Sequence, residues 1–317
     1  QEPVIPFFLS APTEGQTAQP TGFLRPEVMQ RLQHDHSILL RGSGNSPWLL
    51  GNSEGMQFVS FSPAVNRDGK QSRTFYINQL VAEWRKQGLF QDILRGWSNE
   101  DFPIYHYTPV SNHSPEAVND PVAFSIERAA LPLFGFANFG CLLTAYYRSP
   151  DTGKTMFWIP RRSKTKRTWP GRLDVTVGGG MSTGDTASAT IIRECAEEAS
   201  LDANFVQENL RPAGVLPFPN RSPAGWILPG LYYLFDLPLP SDGSVRPKVN
   251  TADGEVEEFE LMDAQTVLDN LVTGVFKPSS ALALVDFLIR HGFVTEETDP
   301  RFVDICLQLR QPMSLPL

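Results

Sequence analysis

Early in the chain, the hydrophobic and polar positions switch between a helical and an alternating period. The segment RPEVMQRLQ has the spacing of a short helix with Pro26 near its first turn. The segment QFVSFSP alternates apolar and polar residues, which is typical of a strand. The segment YINQLVAEWRKQG returns to helical spacing, and Gly88 is placed to end that helix. The pattern predicts a small α+β unit.

Two stretches lack this periodicity and predict the domain limits. Residues 1–21 contain Pro, Gly, Thr and Gln with little pattern, so we expect a flexible arm. Residues 108–121, TPVSNHSPEAVNDP, are rich in Pro, Ser and Asn and predict a domain boundary. We therefore expect an arm at 1–21, a small N-terminal α+β domain at 22–120 and a second domain at 121–317.

The second domain alternates short apolar segments with helical ones. Ser125 is a plausible N-cap for a helix over IERAALPL. Two strands, GCLLTAYY and KTMFWIPRRS, flank the turn SPDTG as in a hairpin. Further strands are predicted at GVLPFP, LYYLFDLPL and EVEEFELM, and closing helices at 264–271, 281–291 and 301–310. Interleaved strands and helices without a repeat predict an α/β fold with a mixed sheet and helices on its faces.

One predicted helix, Ala187–Ala199, places like charges together near its C-terminal end. Glu197 and Glu198 follow Glu194 by three and four residues, so the three carboxylates lie on or near one face. Like-charge repulsion costs about 0.2–0.5 kcal/mol for each pair there, and the helix dipole costs acidic residues about 0.3–1 kcal/mol. A divalent cation such as Mg²⁺ reverses this penalty because it binds carboxylate oxygens, and Arg193 can hold one glutamate in place.

The alternative is a solvated acidic face, which a bare E-x-x-E-E pattern would normally indicate. The preceding segment, LDVTVGGG, favours the functional interpretation. Gly178, Gly179 and Gly180 lack side chains and can bring bare backbone next to a ligand or a metal.

Composition and charge limit the classes of partner. The chain has 317 residues, which is enough for two domains. Its 41% hydrophobic residues are enough to form buried hydrophobic cores. A net charge of −8 argues against a general binder of nucleic acid or of a membrane surface. No apolar run approaches the ~20 residues of a membrane span. Three widely spaced cysteines favour a reducing compartment, so we expect a cytoplasmic location, with a removed targeting segment left open.

The helix and its glycine strand resemble the Nudix box, G-x5-E-x7-R-E-U-x-E-E-x-G-U, where U is aliphatic. The matching positions are Gly179, Asp185, Arg193, Glu194, Glu197, Glu198 and Leu201. Asp185 replaces a glutamate, Cys195 takes an aliphatic place and packs inward, and Ser200 replaces the closing glycine, which suggests a different helix exit. The resemblance implies a Nudix α/β/α sandwich, with the small α+β domain in front of it.

The flanking segments are similar to the Nudix group related to thiamine pyrophosphokinase in plants and fungi. They include FSIERAALPLFGF, RRSKTKRTWPGRLDVTVGGG, FKPSSALALVDFLIRHGF and GLFQDILRGWSNEDFPIYH, and the likeness covers roughly residues 22–293. It implies Mg²⁺-dependent hydrolysis of thiamine diphosphate, and preferentially of its damaged oxy and oxo forms, to the monophosphate. Mn²⁺ is expected to substitute. The implied partner is this small-molecule diphosphate, and the oligomeric state is left open.

The resemblance also implies roles for individual residues. Glu194, Glu197, Glu198 and the Gly179 backbone are the expected metal site, and Arg193, Glu194 and Glu198 are expected to be catalytic. A later acidic segment often completes such sites, and DGEVEEF offers Glu255, Glu257 and Glu258. In a strand the first two share a face. We rank Glu257 slightly ahead of Glu255 as the further catalytic residue.

A basic segment precedes the glycine strand. It contains Arg161, Arg162, Lys164, Lys166, Arg167 and Arg172. Basic loops are usually just solvated. Its position before the glycines nevertheless favours contact with the diphosphate, with Lys164 and Lys166 as first candidates and Arg162 beside them.

Other candidates carry weaker signals. Trp97, Phe102 and Tyr105 are aromatic faces on which a cationic ring can stack, although such residues more often pack in cores. Trp97 is the substrate-binding candidate among them. His34 and His36 flank Asp35, a pattern that is more often a polar turn than a metal site.

Four alternatives to this function differ from it in class or in substrate. A diphosphate isomerase of the same fold needs a catalytic cysteine just after the basic segment, where this chain has TVGGG. A non-catalytic Nudix-fold binding module usually lacks the box glutamates, which are present here. A Nudix hydrolase of a nucleoside diphosphate derivative such as ADP-ribose remains the main alternative. A pyrophosphokinase activity is not expected, because two intact kinase-type domains do not fit into 317 residues.

Overall fold

The computed structural model describes residues 3–13, 18–53, 55–106, 120–166, 168–222, 224–311 and 313. The first part of the chain folds into short strands and helices. They are β1 (Ile5–Phe8), β2 (Gly22–Leu24), α1 (Pro26–Ser43), β3 (Trp48–Ser53), β4 (Met56–Phe61), α2 (Pro63–Arg67), α3 (Lys70–Lys86), α4 (Gln91–Leu94), β5 (Asp101–Tyr105) and β6 (Val122–Glu127). Strands β1–β4 form one sheet in the order β2-β1-β4-β3, and β5 pairs antiparallel with β6.

The expected flexible arm is corrected by strand β1. Ile5–Phe8 lies inside the first sheet, antiparallel to β2 and parallel to β4. Phe7 is fully buried, and its ring makes edge-to-face contacts with Phe61, Phe134 and Phe136. The sequence pattern missed this strand because only four residues pair, and their partners lie many residues further along the chain.

The second part of the chain contains the elements around the central sheet. They are a 3₁₀ turn (Arg128–Ala130), α5 (Leu131–Phe134), β7 (Asn138–Arg148), β8 (Thr155–Arg162), β9 (Val177–Gly180), α6 (Ala187–Ala199), α7 (Ala203–Asn209), β10 (Arg211–Phe218), β11 (Gly230–Pro238), β12 (Val256–Asp263), α8 (Ala264–Val272), α9 (Pro278–Arg290) and α10 (Phe302–Leu309). The strand order is β10-β11-β7-β8-β12, with β9 also paired to β7. Only the β7–β11 pair among these is parallel, so the sheet is mixed as predicted.

Strand β7 shows how the sheet is covered on both faces. Alternate residues of a strand point to opposite faces. Cys141, Leu143 and Ala145 pack in the core that contains buried residues of α6. Leu142 packs instead in the core that contains buried residues of α9. The α/β/α sandwich predicted from the sequence is confirmed.

The junction between the two parts differs from the prediction. Ser125 does not cap a helix, because it lies within β6, where its N–H donates to Thr74 Oγ1 at 3.0 Å. Residues 123–136 contribute to the first core, beyond the expected limit at residue 120. Most of the predicted boundary segment, residues 107–119, lies outside the described residues.

In the parts of the chain that the structure describes, no helix is both long and apolar enough to cross a bilayer.

Candidate active site

Helix α6 begins and ends as its sequence indicates. The Thr186 side chain accepts from the Ala189 N–H at 3.2 Å and caps the first turn. Ile191, Cys195 and Ala199 form the buried stripe that packs on the sheet, so the inward packing predicted for Cys195 is confirmed. Burial raises the pKa of the Cys195 thiol. The opposite face is therefore the one that carries the charged residues.

The end of α6 keeps a glycine-like exit although Ser200 stands there. Ser200 has φ 52° and ψ 33°, the left-handed conformation that glycine adopts at little cost. The following Leu201 N–H donates to the Cys195 carbonyl at 3.1 Å and closes the last turn. The different helix exit expected from the replacement is therefore not what the structure shows.

The glycine strand β9 lies directly against the charged face of α6. A β-carbon at Gly179 would overlap the Glu194 side chain. At Gly180, a β-carbon would come within 2.8 Å of the Phe102 ring. The missing side chains therefore let a carboxylate and an aromatic ring approach the same short strand.

Arg193 is the centre of the charged face. Its guanidinium lies 3.0 Å from Glu194 Oε1, 3.0 Å from Glu197 Oε2 and 3.7 Å from Asp185 Oδ2. Asp185, the conservative replacement in the box pattern, is thus held by Arg193 at the start of the helix. One arginine offsets the repulsion between neighbouring carboxylates, which is the role expected for it.

Glu198 is the buried member of the carboxylate group. It accepts from the Gly178 N–H at 3.2 Å and shares a hydrogen bond with Glu255. Burial, that bond and the nearby Glu194 charge raise the pKa of Glu198 well above its usual value. Burial likewise raises the pKa of Glu194 to about 7, with Arg193 opposing and Glu197 and Glu255 adding to the shift.

These side chains suit a divalent cation in chemistry, although their present contacts are with one another. Among the described residues, no group of three or more His, Cys, Asp or Glu side chains is arranged to hold a metal ion. Arg193 instead forms an ion pair with Glu194, and Lys166 forms one with Glu255. Yet Glu198 and Glu255 are neighbouring carboxyls that share a hydrogen bond in a buried place. A hard cation with oxygen ligands fits such a donor set.

A cleft of about 470 Å³ opens above the glycine strand. It is lined by Glu100, Arg128, Lys166, Gly178, Gly179, Gly180, Ser182, Asp185, Arg193, Glu194, Glu197, Asp253 and Glu255. Six carboxylates and three cationic side chains therefore face one space. The cleft brings together the α6 residues, the glycine strand, Asp253, and one of the three glutamates offered by the segment DGEVEEF.

That glutamate is Glu255, which corrects the ranking of Glu257. The Glu257 carboxylate accepts from the Lys164 backbone N–H at 3.0 Å and lines a separate groove beside Trp158. The alternation expected for a regular strand fails because the pairing of β12 with β8 shifts between Val256 and Glu258. Glu257 is the extra residue at that bulge, and Glu255 precedes the strand.

Among the described residues of the basic segment, one side chain lines the cleft. Lys166 lines the cleft and pairs with Glu255, and its contact with a diphosphate stays a prediction. Lys164 is exposed and is not part of the lining. Arg162 is buried and bonds Asp174 at 2.7 Å and the Thr168 carbonyl at 2.9 Å. The substrate contacts expected of Lys164 and Arg162 are therefore corrected.

Asp174 explains why Arg162 turns inward. Its carboxylate accepts from Arg162 and from Ser280 and lies 3.5 Å from Lys277 Nζ. Burial alone would raise the pKa of Asp174, but the charges of Lys277 and Arg162 and the hydrogen bonds hold it below its usual value. This cluster ties the end of β8 to the first turn of α9.

Trp97 is a packing residue and not a wall of the cleft. Its ring packs on the first core, carries the Arg85 guanidinium at 4.7 Å and donates to Asn99 Oδ1 at 3.0 Å. The substrate stacking expected of Trp97 is corrected.

His34 and His36 lie on helix α1 and not in a turn. Asp35 between them accepts hydrogen bonds from Arg31 and from the Trp84 indole, so this triplet has a structural role.

Four lining residues were not identified from the sequence: Glu100, Arg128, Ser182 and Asp253. Arg128 lies within FSIERAALPLFGF, one of the segments that resemble the thiamine-related group. That resemblance was the sequence feature that could have identified it. Glu100 and Asp253 are acidic residues in polar stretches without a pattern that marks them.

Two family models match the chain. One is described as the NUDIX domain and matches residues 145–282. The other is described as a domain of unknown function, DUF4743, and matches residues 16–138. Together they cover both parts of the structure.

Relatives with curated descriptions are similar across both parts. An uncharacterized protein of Saccharomyces cerevisiae is 31% identical over 254 residues, which are 77% of this chain and 69% of that protein. Two chloroplastic proteins of Arabidopsis thaliana, Nudix hydrolase 20 and Nudix hydrolase 24, are each 32% identical. The matches cover 69% and 77% of this chain but 54% and 60% of theirs, so the chain spans little more than half of their length.

A solved structure is also similar in its backbone. The crystal structure of a protein from Deinococcus radiodurans matches with a TM-score of 0.40 and 22% identity, over 58% of this chain and 97% of that one.

Proposed function

This chain belongs to the Nudix hydrolases, and on that premise we propose that it hydrolyses thiamine diphosphate, or its oxidised oxy and oxo forms, to the monophosphate and phosphate with Mg²⁺. The hydrolase class comes from the family, and the substrate and the metal are the proposed part. Mn²⁺ is expected to replace Mg²⁺ in this reaction.

One observation carries the proposal. Arg193, Glu194 and Glu197 face the same cleft as Lys166 and Glu255, with Glu198 buried behind them. A diphosphate requires positive charge close to its oxygens, and hydrolysis requires a group that can accept a proton from water. Both requirements are met by side chains within this one space.

The donor set suggests which residues would hold the cation. Glu194, Glu198 and Glu255 are the carboxylates gathered around the glycine strand, and Glu197 and the Gly179 carbonyl are the further candidates. A bound divalent cation supplies charge that offsets that of the diphosphate and favours attack by water.

The chain's own residues orient the carboxylates and bind the phosphate. Arg193 holds Glu194 and Glu197 in a fixed arrangement through its two ion pairs. Lys166, which pairs with Glu255 in the free protein, is a cation that an incoming phosphate can share. Gly178 holds Glu198 by a backbone hydrogen bond, so the buried carboxyl keeps its orientation.

The charge of the cleft supports a zwitterionic substrate. Among the described residues, six carboxylates line it against three cations. A cationic thiazolium ring is compatible with such acidic walls, whereas a neutral nucleoside gains less from them. The flanking segments described above resemble the thiamine-related group and support the same substrate.

A substrate panel tests this proposal. The purified chain is incubated with Mg²⁺ and thiamine diphosphate, oxo-thiamine diphosphate or ADP-ribose, and the products are identified by mass spectrometry. We expect thiamine monophosphates and phosphate from the first two compounds. Turnover confined to ADP-ribose would instead assign a nucleoside diphosphate derivative, and binding without turnover of any compound would assign a non-catalytic module.

A further inference from the structure

The strand pair β5–β6, which belongs to the first part of the chain, is fastened to the glycine strand. The Asp101 carbonyl accepts from the Thr183 N–H at 3.1 Å and from Thr183 Oγ1 at 3.0 Å. Ser125 Oγ and Thr183 Oγ1 lie 3.0 Å apart. Phe102 packs against Gly180, where a β-carbon would be too close. The first part therefore forms a fixed wall beside β9.

A buried carboxylate organises the end of that wall. Glu127 is 3% exposed and accepts from the Ser98 N–H, Ser98 Oγ, the Asn99 N–H and the Ala129 N–H at 2.9–3.1 Å. The Arg128 N–H donates to the Glu100 carbonyl at 2.9 Å. Two chain segments are thus locked together, and each presents one charged side chain, Glu100 or Arg128, to the cleft.

The Arg128 guanidinium is held in place yet remains open to a ligand. It lies 5.4 Å from the centre of the Phe102 ring and 2.8 Å from Glu100 Oε2. Its side chain is 51% exposed. Among the described residues, the other two lining cations, Arg193 and Lys166, pair with Glu194 and Glu255, which are carboxylates of the proposed metal site. Arg128 instead approaches the cleft from the opposite part of the chain.

We propose that Arg128, supplied by the region of unknown function, binds the terminal phosphoryl group of the diphosphate substrate, and that Glu100 is its partner when substrate is absent. This inference rests on the proposed function. A guanidinium presents paired N–H donors that match phosphate oxygens, and the added charge makes a dianionic phosphoryl group a stronger partner than one carboxylate. Residues 16–138 thereby contribute to substrate recognition.

The test is a binding measurement that does not depend on turnover. Methylenediphosphonate, a diphosphate analogue that cannot be hydrolysed, is titrated with Mg²⁺ into the full chain by isothermal calorimetry. The variants are Arg128→Gln, Arg128→Lys and Glu100→Gln. The matched control is Arg85→Gln, because Arg85 also stacks on an aromatic ring of the first part but does not line the cleft.

We expect Kd to change in opposite directions when Arg128 and Glu100 are substituted. Arg128→Gln raises Kd about tenfold or more, Arg128→Lys raises it less, and Arg85→Gln leaves it unchanged. Glu100→Gln lowers Kd a few-fold because it removes a competing carboxylate. In kinetics, Arg128→Gln raises KM more than it lowers kcat, since ground-state binding is lost.

Two results would overturn the inference. One is an Arg128→Gln variant whose Kd and KM stay within about twofold of the parent chain. The other is an equal rise of Kd in Arg128→Gln and Glu100→Gln, which indicates that the pair only supports the wall. A chain that turns over no diphosphate but loses analogue binding in Arg128→Gln refutes the proposed function and retains this inference.

Discussion

Ser200 ends helix α6 in a backbone conformation that is unfavourable for its side chain. The left-handed region costs a non-glycine residue roughly 1–2 kcal/mol. Because glycine loses more chain entropy on folding, the net gain from replacing the serine is about 0.5–1 kcal/mol. We predict that Ser200→Gly raises the free energy of unfolding by that amount in urea titrations.

The control for this variant is Ser241→Gly. Ser241 is exposed and is not among the described residues with positive φ. Glycine is expected to be neutral or destabilising there. Equal effects of the two substitutions would contradict the role assigned to the helix end.

Glu255 and Glu257 offer a matched pair two residues apart. Glu255 lines the cleft and bonds Glu198, whereas Glu257 lies in the neighbouring groove. We predict that Glu255→Gln lowers kcat/KM for diphosphate hydrolysis by about tenfold to hundredfold, while Glu257→Gln changes it by less than about twofold. Steady-state kinetics at saturating Mg²⁺ measures both, and the reverse ranking would restore Glu257.

The candidate residues that the structure places together at the cleft are those with local spacing in the sequence. Arg193, Glu194 and Glu197 share the cleft because they lie on one helix face. Arg162 was misjudged because its partner, Asp174, lies across a loop. The sequence of a basic segment does not show which of its residues is buried. Glu257 was misjudged because a bulge is set by cross-strand pairing and not by the strand's own residues.

At the scale of elements, the cluster around Asp174 joins β8, the segment before β9 and α9. Arg162, Lys277 and Ser280 all contact the buried Asp174 carboxylate. Removing one partner of a buried ion pair costs about 3–5 kcal/mol. We predict that Asp174→Asn lowers the unfolding free energy at pH 7 by this amount, whereas the exposed Asp151→Asn has little effect.

The same cluster predicts a dependence on pH. The folded pKa of Asp174 lies below its ordinary value of 3.8, so its contribution is fully present above about pH 4. It is lost as the pH falls through the lower, folded pKa. The stability difference between the parent chain and Asp174→Asn should therefore shrink below pH 4. A constant difference down to pH 2 would contradict this account.

Elements with strong local signals were predicted closely. Helix α6 has the predicted limits, and α8, α9 and α10 each begin and end within three residues of the predicted ranges 264–271, 281–291 and 301–310. The helix predicted after Ser125 failed because β6 pairs with β5 and overrides the local capping signal. Pairing between distant segments cannot be inferred from one segment's pattern.

At the scale of the whole molecule, strand β1 makes the start of the chain part of the first core. Truncating a buried phenylalanine to alanine costs about 3–5 kcal/mol. We predict that Phe7→Ala lowers the unfolding free energy by this amount. The control, Phe75→Ala, concerns a ring that is 60% exposed and should cost less than about 0.5 kcal/mol. Thermal unfolding compares them, and a negligible effect at Phe7 would restore the flexible arm.

The two parts of the molecule meet at the cleft. The α/β/α sandwich supplies α6, β9 and the segment before β12, and the first part supplies the wall that carries Glu100 and Arg128. The sequence predicted the first set, but it left open how the N-terminal domain lies relative to the site. That relation depends on Phe102, Gly180 and Thr183, whose contacts join separate parts of the chain.

The most direct test of the central claim is the rate of phosphate release from thiamine diphosphate at saturating Mg²⁺. The parent chain is compared with Glu197→Gln, Glu198→Gln and the exposed control Glu208→Gln on α7. We expect a loss of about tenfold to hundredfold in kcat for each of the first two variants and parent-like turnover for the control. Turnover that survives both substitutions would contradict the account.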